Sequence, residues 1–420
     1  MKNSGDEHAS SIERTAENSS LNFKVTDLRT FIVDRAPDEN FVFVKVYTDQ
    51  GIVGLGEGTL TAKARTVATA IEEHKRYLVG KNPSEIERHW QTMFRSARAA
   101  RGGPVMMSAL SAVEIALWDI LGQALGQPIY QLLGGKARDT IRCYPHTSSG
   151  NRVMPYHMTE DERGRLEPKS LVERFLERQA EGWTAVKSGF VSADDRNVID
   201  PMRAVRLGIE RLAKVREAVG PDFEICVDLH GRCTTAMAIE FCKLAEPYRP
   251  LFVEEPTQVE DLGELSLLRS LTTVPLATGE RINSRLQFGK ICSQHLVNYI
   301  QPDVVRCGGI SEMKKIAALA EVFRIELLPH NPNSMVCTMA SAHVCMSTPN
   351  ATLLEIGSGL SPFWEDLFCG RAIEFNAGFA LAPTQPGLGV ELDERIAAKY
   401  PYQPKTRHPH RFADGSVCDS

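Results

Sequence analysis

Cys226-Val227-Asp228-Leu229-His230-Gly231-Arg232 closes a short apolar run that begins at Phe223 and stops in an acid, a histidine, a glycine and an arginine. A run of this length reads as a buried strand. Strands that end in charge are how an α/β barrel exposes its chemistry, because functional groups sit where each strand passes into its βα loop. The same grammar recurs. Leu251-Phe252-Val253 runs into Glu254-Glu255-Pro256, and Val274 to Gly279 runs into Glu280-Arg281. Val297 to Pro302 ends in Asp303, Ile325 to Pro329 in His330, and Thr352-Leu353-Leu354 in Glu355. Asp228, Glu254 and Glu280 stand 26 residues apart, and the later steps are 23, 27 and 25. A strand, a three-turn helix and two short loops fill about 25 residues, so each interval holds one right-handed βα unit. All six polar groups then belong at one mouth.

Ile141 to Tyr144 and Trp183 to Gly189 supply two earlier strands, which completes eight. The polar stretch between them, Pro145 to Glu167, is too long for a plain βα loop and carries His146, Tyr156 and His157, which could overhang the mouth. Before the barrel, Lys24 to Leu28 and Phe41 to Tyr47 alternate like antiparallel strands. Thr48-Asp49-Gln50-Gly51 turns the second into a hairpin with Ile52 to Glu57. Helical periods follow at Ala62 to Leu78, Pro83 to Phe94 and Val105 to Ala124, the last broken by Gly126-Gln127-Pro128. Strands followed by helices signal a separate α+β module. Pro386-Gly387-Leu388-Gly389 reads as a segment that returns to it. The expected organisation is an N-terminal tail over residues 1–22, an α+β capping domain over 23–138, a TIM-like (β/α)8 barrel over 139–360 and a C-terminal segment over 361–420 that completes the cap.

Among the 420 residues 43% are apolar and 24% charged, enough for a large core, and the net charge is −5 with no basic run to recommend nucleic acid or an anionic membrane. Ten cysteines stand singly without a CxxC pair, as free thiols do in a reducing compartment. No run of eighteen consecutive apolar residues occurs, and residues 1–22 lack the apolar centre of a signal peptide. The expectation is a cytoplasmic protein with neither nucleic acid nor membrane as partner.

Asp228, Glu254 and Glu280 end three successive strands, and three ionised carboxylates brought together would raise one another's pKa. A divalent cation removes the conflict, and an all-oxygen donor set favours Mg²⁺ or Mn²⁺ over zinc or copper. Asp303, one strand before His330, could hold one imidazole nitrogen and leave the other to take a proton. His230 could reach the same cavity, so two histidines serve two proton transfers. A cation that binds a substrate carboxylate stabilises the enediolate left when the α-proton departs, and Glu355 could hydrogen-bond the same carboxylate. With a hydroxyl on the β-carbon, an acid such as His230 expels it as water. An epimerase or cycloisomerase using the same site is the alternative, as is a metal-binding protein without catalysis.

The carboxylate triad, Lys187 before it and the Asp303/His330 pair after it resemble the mandelate racemase subgroup of the enolase superfamily, and the Asp228 to Arg232 block is similar to that of its D-galactonate dehydratases. The resemblance runs from Phe23 to about Leu392 and includes Ala116-Leu117-Trp118-Asp119. It implies Mg²⁺ on Asp228, Glu254 and Glu280, His330 with Asp303 as base at C2, His230 as acid for the 3-hydroxyl, and Glu355 in support of the enediolate. A capping domain that reads a sugar acid, and a homo-oligomer, often an octamer, are also implied. Gly189 stands where racemases of this subgroup carry a second lysine, which argues against racemisation and leaves Lys187 for charge neutralisation or orientation.

Overall fold

Alternation in Phe41-Val42-Phe43-Val44 sends successive side chains to opposite faces of a strand, and in the computed structural model both faces are covered. Phe41 and Phe43 join the core shared with the barrel, whereas Val42, Val44 and Val46 join the core of the N-terminal module. Residues 21–35, 39–147, 169–192, 198–357, 366–369, 373–406 and 408–419 are described. Tyr156 and His157 of the expected overhang lie outside them.

The strands are β1 (Val25–Arg35), β2 (Glu39–Thr48) and β3 (Val53–Glu57), antiparallel in sequence order. Helices α1 (Ala64–Leu78), α2 (Ile86–Ser96) and α3 (Pro104–Leu125) cover one face. Contact between β3 and α3 depends on glycine. A Cβ on Gly56 would stand 1.8 Å from the Ala112 carbonyl oxygen, so any side chain there forces the strand off the helix. Among the described residues α3 alone is long and apolar enough to cross a bilayer, yet most of it is buried within the protein.

From Thr140 strands alternate with helices: β4 (Thr140–Pro145), α4 (Leu171–Ala180), β5 (Ala185–Gly189), α5 (Pro201–Val219), β6 (Glu224–Asp228), α6 (Thr235–Ala245), β7 (Phe252–Glu254), α7 (Leu262–Leu271), β8 (Leu276–Thr278), α8 (Arg285–Ser293), β9 (Tyr299–Ile300), α9 (Gly309–Val322), β10 (Glu326–Leu327), α10 (Met335–Met346) and β11 (Leu354–Ile356). The helices begin where a side chain receives their free N–H groups: Ser170, Asp200, Thr234, Asp261, Ser284 and Ser334 each accept from the first turn that follows. Strands β5 to β10 form one parallel sheet in sequence order, and β11 pairs parallel with β4. Single parallel bridges, His146 to Lys187 and Leu327 to Ala351, span the two seams and complete the ring of eight. Strands β9 and β10 are shorter than their apolar runs, because Pro302 and Pro329 supply no N–H to continue a ladder.

Period two then layers the interior. Tyr144, Ala185, Cys226, Phe252, Ala277, Leu328 and Leu353, with Tyr299 beside them, make a small apolar plug inside the ring. Val186, Val227, Val253, Leu276, Ile300, Leu327 and Leu354 point outward to the helices. Burying each of these larger side chains contributes about 1.5–3 kcal/mol. Two residues above the plug stand His146, Lys187, Asp228, Glu254, Gly279, Gln301, His330 and Glu355.

The C-terminal part touches both the barrel and the N-terminal module. Phe379–Leu381 pairs antiparallel with the start of β4, and Leu388 N–H donates to Asp119 Oδ1 of α3 at 2.8 Å. Asp119 Oδ2 accepts from Leu55 N–H at 2.8 Å, so one buried carboxylate joins β3, α3 and the return.

Candidate active site at the carboxyl ends of the strands

Lys187 stands at the centre of the polar layer. Its Nζ lies 2.9 Å from Glu355 Oε1, 3.0 Å from Glu254 Oε1 and 3.5 Å from Asp228 Oδ2, with all four side chains buried. Burial alone would depress the ammonium, but the carboxylates of Glu254, Glu355 and Asp228 hold it well above its usual value. Its three carboxylate neighbours favour the charged ammonium. Burial pushes Glu254 well above the carboxylate range despite Lys187, and its Oε2 has no hydrogen-bond partner among the described residues.

His330 carries the second cluster. Its Nδ1 donates to Asp303 Oδ2 at 2.9 Å, as the spacing of the two strands suggested. Asp303 also faces Asn333 Nδ2 at 3.0 Å and Arg306 Nε at 3.4 Å. The other nitrogen, expected to be free for a proton, is engaged: Nε2 lies 2.8 Å from Glu280 Oε2. Burial would lower His330, yet Glu280 and Asp303 together hold the imidazole well above its ordinary value. Glu280 is correspondingly low: burial raises it, and His330, His230 and Lys187 outweigh burial.

His230 lies across the layer with its backbone in the left-handed region at φ 52°. Its N–H donates to Asp228 Oδ1 at 2.8 Å and its Nε2 lies 3.2 Å from Asp228 Oδ2. Burial, with Arg232 beside it, pulls this imidazole down against the attraction of Asp228.

The eight side chains singled out from the sequence thus fall into two clusters at the same rim, Lys187 with Asp228, Glu254, Glu355 and, through Asp228, His230, and His330 with Asp303 and Glu280. Among the described residues no three acid, histidine or cysteine side chains already stand as a metal cage. A buried carboxylate takes the nearest donor, and here Asp228 faces His230 and Lys187, Glu254 faces Lys187, and Glu280 faces His330. Glu355, expected to meet a substrate carboxylate, pairs with Lys187 and accepts the Asn331 N–H at 3.2 Å.

Several members escaped sequence reading. Gln301 stands in the polar layer with neither amide atom partnered among the described residues; alignment by period two with Tyr299 would have found it. Glu255 pairs with Arg281 at 2.5 Å. Glu57 of β3 accepts from Ser334 Oγ at 2.6 Å and the Cys337 N–H at 3.1 Å, just beyond the loop that carries His330 and Asn333. No local pattern announces a contact between residues so far apart in sequence.

The chain matches the Mandelate racemase / muconate lactonizing enzyme, N-terminal domain, over residues 30–134 and the Enolase C-terminal domain-like family over residues 170–396. It belongs to the enolase superfamily. Within that superfamily it is 38% identical to a D-galactonate dehydratase of Ralstonia pickettii and 36% identical to one of Verminephrobacter eiseniae, in each case over 94% of this chain and the whole of the relative. Among solved members, an enolase from Pantoea ananatis with bound D-gluconate and Mg superposes with a TM-score of 0.83 at 28% identity, covering 95% of this chain and 100% of that one.

Proposed function

We propose that this enolase-superfamily chain is a hydro-lyase that dehydrates a sugar acid, removing the C2 proton and the 3-hydroxyl to leave a 2-keto-3-deoxy acid. The observation that carries the reading is a pair of imidazoles, His230 against Asp228 and His330 against Glu280, at the two ends of one strand-end carboxylate set. Two proton-transfer groups suit an elimination, which needs one proton taken and one delivered. The names of the two dehydratase relatives and the gluconate held by the Pantoea protein support the substrate class.

The residues fit a hard divalent cation, Mg²⁺ or Mn²⁺. Asp228, Glu254 and Glu280 offer oxygen alone, and the buried Glu254 Oε2 faces no donor among the described residues. When bound, the cation supplies Lewis-acid stabilisation of the enediolate that the substrate becomes. Asp228, Glu254 and Glu280 would hold the cation, and His330, its ring fixed by Asp303, takes the C2 proton. His230, in its protonated form, gives a proton to the 3-hydroxyl, which leaves as water. Lys187 balances the surrounding carboxylates, and Glu355 holds its place beside the substrate carboxylate. The molecule works as a homo-oligomer in the cytoplasm, where its ten unpaired thiols are stable.

Purified protein with Mg²⁺ is incubated with aldonic acids, D-galactonate first and D-gluconate next, and α-keto acid is detected as its semicarbazone. Keto acid from one stereoisomer establishes the dehydration. Exchange of the C2 proton with deuterium and no keto acid from any of them would replace it with the isomerase reading.

A further inference from the structure

His230 and Gly231 are consecutive residues in the left-handed region, at φ 52° and 63°. A non-glycine residue persists there when its surroundings over-determine the turn, and here they do. Gly231 is gripped at both ends of its backbone. Its N–H donates to the Glu255 carbonyl at 2.8 Å, and its own carbonyl accepts from Gln258 Nε2 at 2.6 Å. Gln258 Oε1 accepts in turn from Arg281 Nη1 at 2.6 Å, while Arg281 Nε pairs with Glu255 Oε2 at 2.5 Å. The guanidinium lies over the turn so closely that a Cβ on Gly231 would stand 2.1 Å from Nη2. Three successive βα loops are thus tied together at one residue, the one that follows His230.

We infer that Gln258 and Arg281 are positioning residues for His230: through the Gly231 peptide they hold its imidazole where it can deliver a proton to the leaving hydroxyl. The inference rests on the dehydratase reading above. It separates Gln258 from a general structural tie because the two half-reactions have different owners. C2 exchange belongs to His330, whose side-chain partners Asp303 and Glu280 make no hydrogen bond to Gln258. Departure of the 3-hydroxyl belongs to His230. A misplacement of about 1 Å at a proton-transfer group lowers its step by up to about 100-fold.

The test is Gln258→Glu, which keeps an acceptor for Arg281 and deletes the donor to Gly231, with Gln258→Leu beside it as a variant that adds no charge. Both are incubated with Mg²⁺ and D-galactonate, or the best substrate of the screen, in deuterium oxide. Expected in both is a fall of about 10- to 100-fold in keto acid formation, with recovered substrate gaining deuterium at C2 at the parent rate. Equal loss of exchange and elimination, as a general loss of structure produces, overturns the inference, and so does parent-like elimination. Absence of both exchange and elimination in the unmodified chain overturns the dehydratase reading itself, a separate result.

Discussion

Glu280 Oε2 and His330 Nε2 lie 2.8 Å apart, so a carboxylate assigned to the cation and the imidazole assigned to the C2 proton hold each other. The two roles are therefore coupled through one contact. Glu280→Gln removes the charge that both roles use, and Mg²⁺ then has to be raised at least about 100-fold to reach half-maximal keto acid formation. An unchanged Mg²⁺ dependence of the rate would sink the ligand assignment.

The division of labour between the imidazoles has its own signature. His330→Asn is expected to abolish both C2 deuterium exchange and elimination, whereas His230→Asn retains exchange while elimination falls about 100-fold or more. Nuclear magnetic resonance of recovered substrate reads the first and semicarbazone absorbance the second. Surviving exchange in His330→Asn would move the base to another group, with Lys187 as the first suspect.

Lys187 offers a test of electrostatics through stability. Its ammonium is the common partner of Asp228, Glu254 and Glu355, and Lys187→Met leaves that buried charge uncompensated. Loss of about 3–5 kcal/mol is expected. Mg²⁺ should recover part of it and raise the melting temperature more in the variant than in the parent. Equal shifts in the two proteins would mean that the cation does not enter this cluster.

The module joint can be probed at Glu114 of α3. Helix α9 is preceded by Gly308, which has no side chain to cap it, and Glu114 reaches across to accept from the Ile310 and Ser311 N–H groups at 2.7 and 2.8 Å. Glu114→Ala leaves these donors buried and unpaired, and denaturation in urea should show a loss of at least about 2 kcal/mol. Glu114→Gln, which retains one acceptor, should lose less.

Acid sensitivity is expected at His343. Its Nδ1 accepts from the Tyr130 N–H at 3.3 Å and its Nε2 faces the Leu388 carbonyl at 3.2 Å, an arrangement that fits the neutral ring. Burial lowers its pKa from 6.5 to about 4. Between these values the unfolded chain takes up a proton that the folded chain refuses, so the contribution is complete above pH 6.5 and is lost as pH falls toward 4. Glu57 and Glu114, which burial pushes up to about 7, act in the opposite sense. The measurement is therefore the difference between the parent and His343→Gln, which should change by about 3 kcal/mol across that window. A flat difference would show that His343 does not titrate on unfolding there.

The barrel was legible in the sequence because strand periodicity is local. Apolar runs ending in Asp228, Glu254, Glu280, Asp303, His330 and Glu355 recur at an interval that one βα unit fills, and the ring delivers each of them to the same rim. The pairing of Asp303 with His330 followed from the same spacing. Prolines 302 and 329 shortened two strands without displacing the residues beyond them.

What residue order determined, then, was which groups reach the rim and in what sequence around it, since a strand's end is set by its own side chains and backbone. Which group each of them faces was decided by tertiary structure alone. Lys187 between three carboxylates, Glu280 on the nitrogen expected to be free, and Glu57 bonded to Ser334 are contacts across distant parts of the chain. Each buried charge chooses among several partners brought within a few ångströms, and that choice depends on burial and on the other charges present at once.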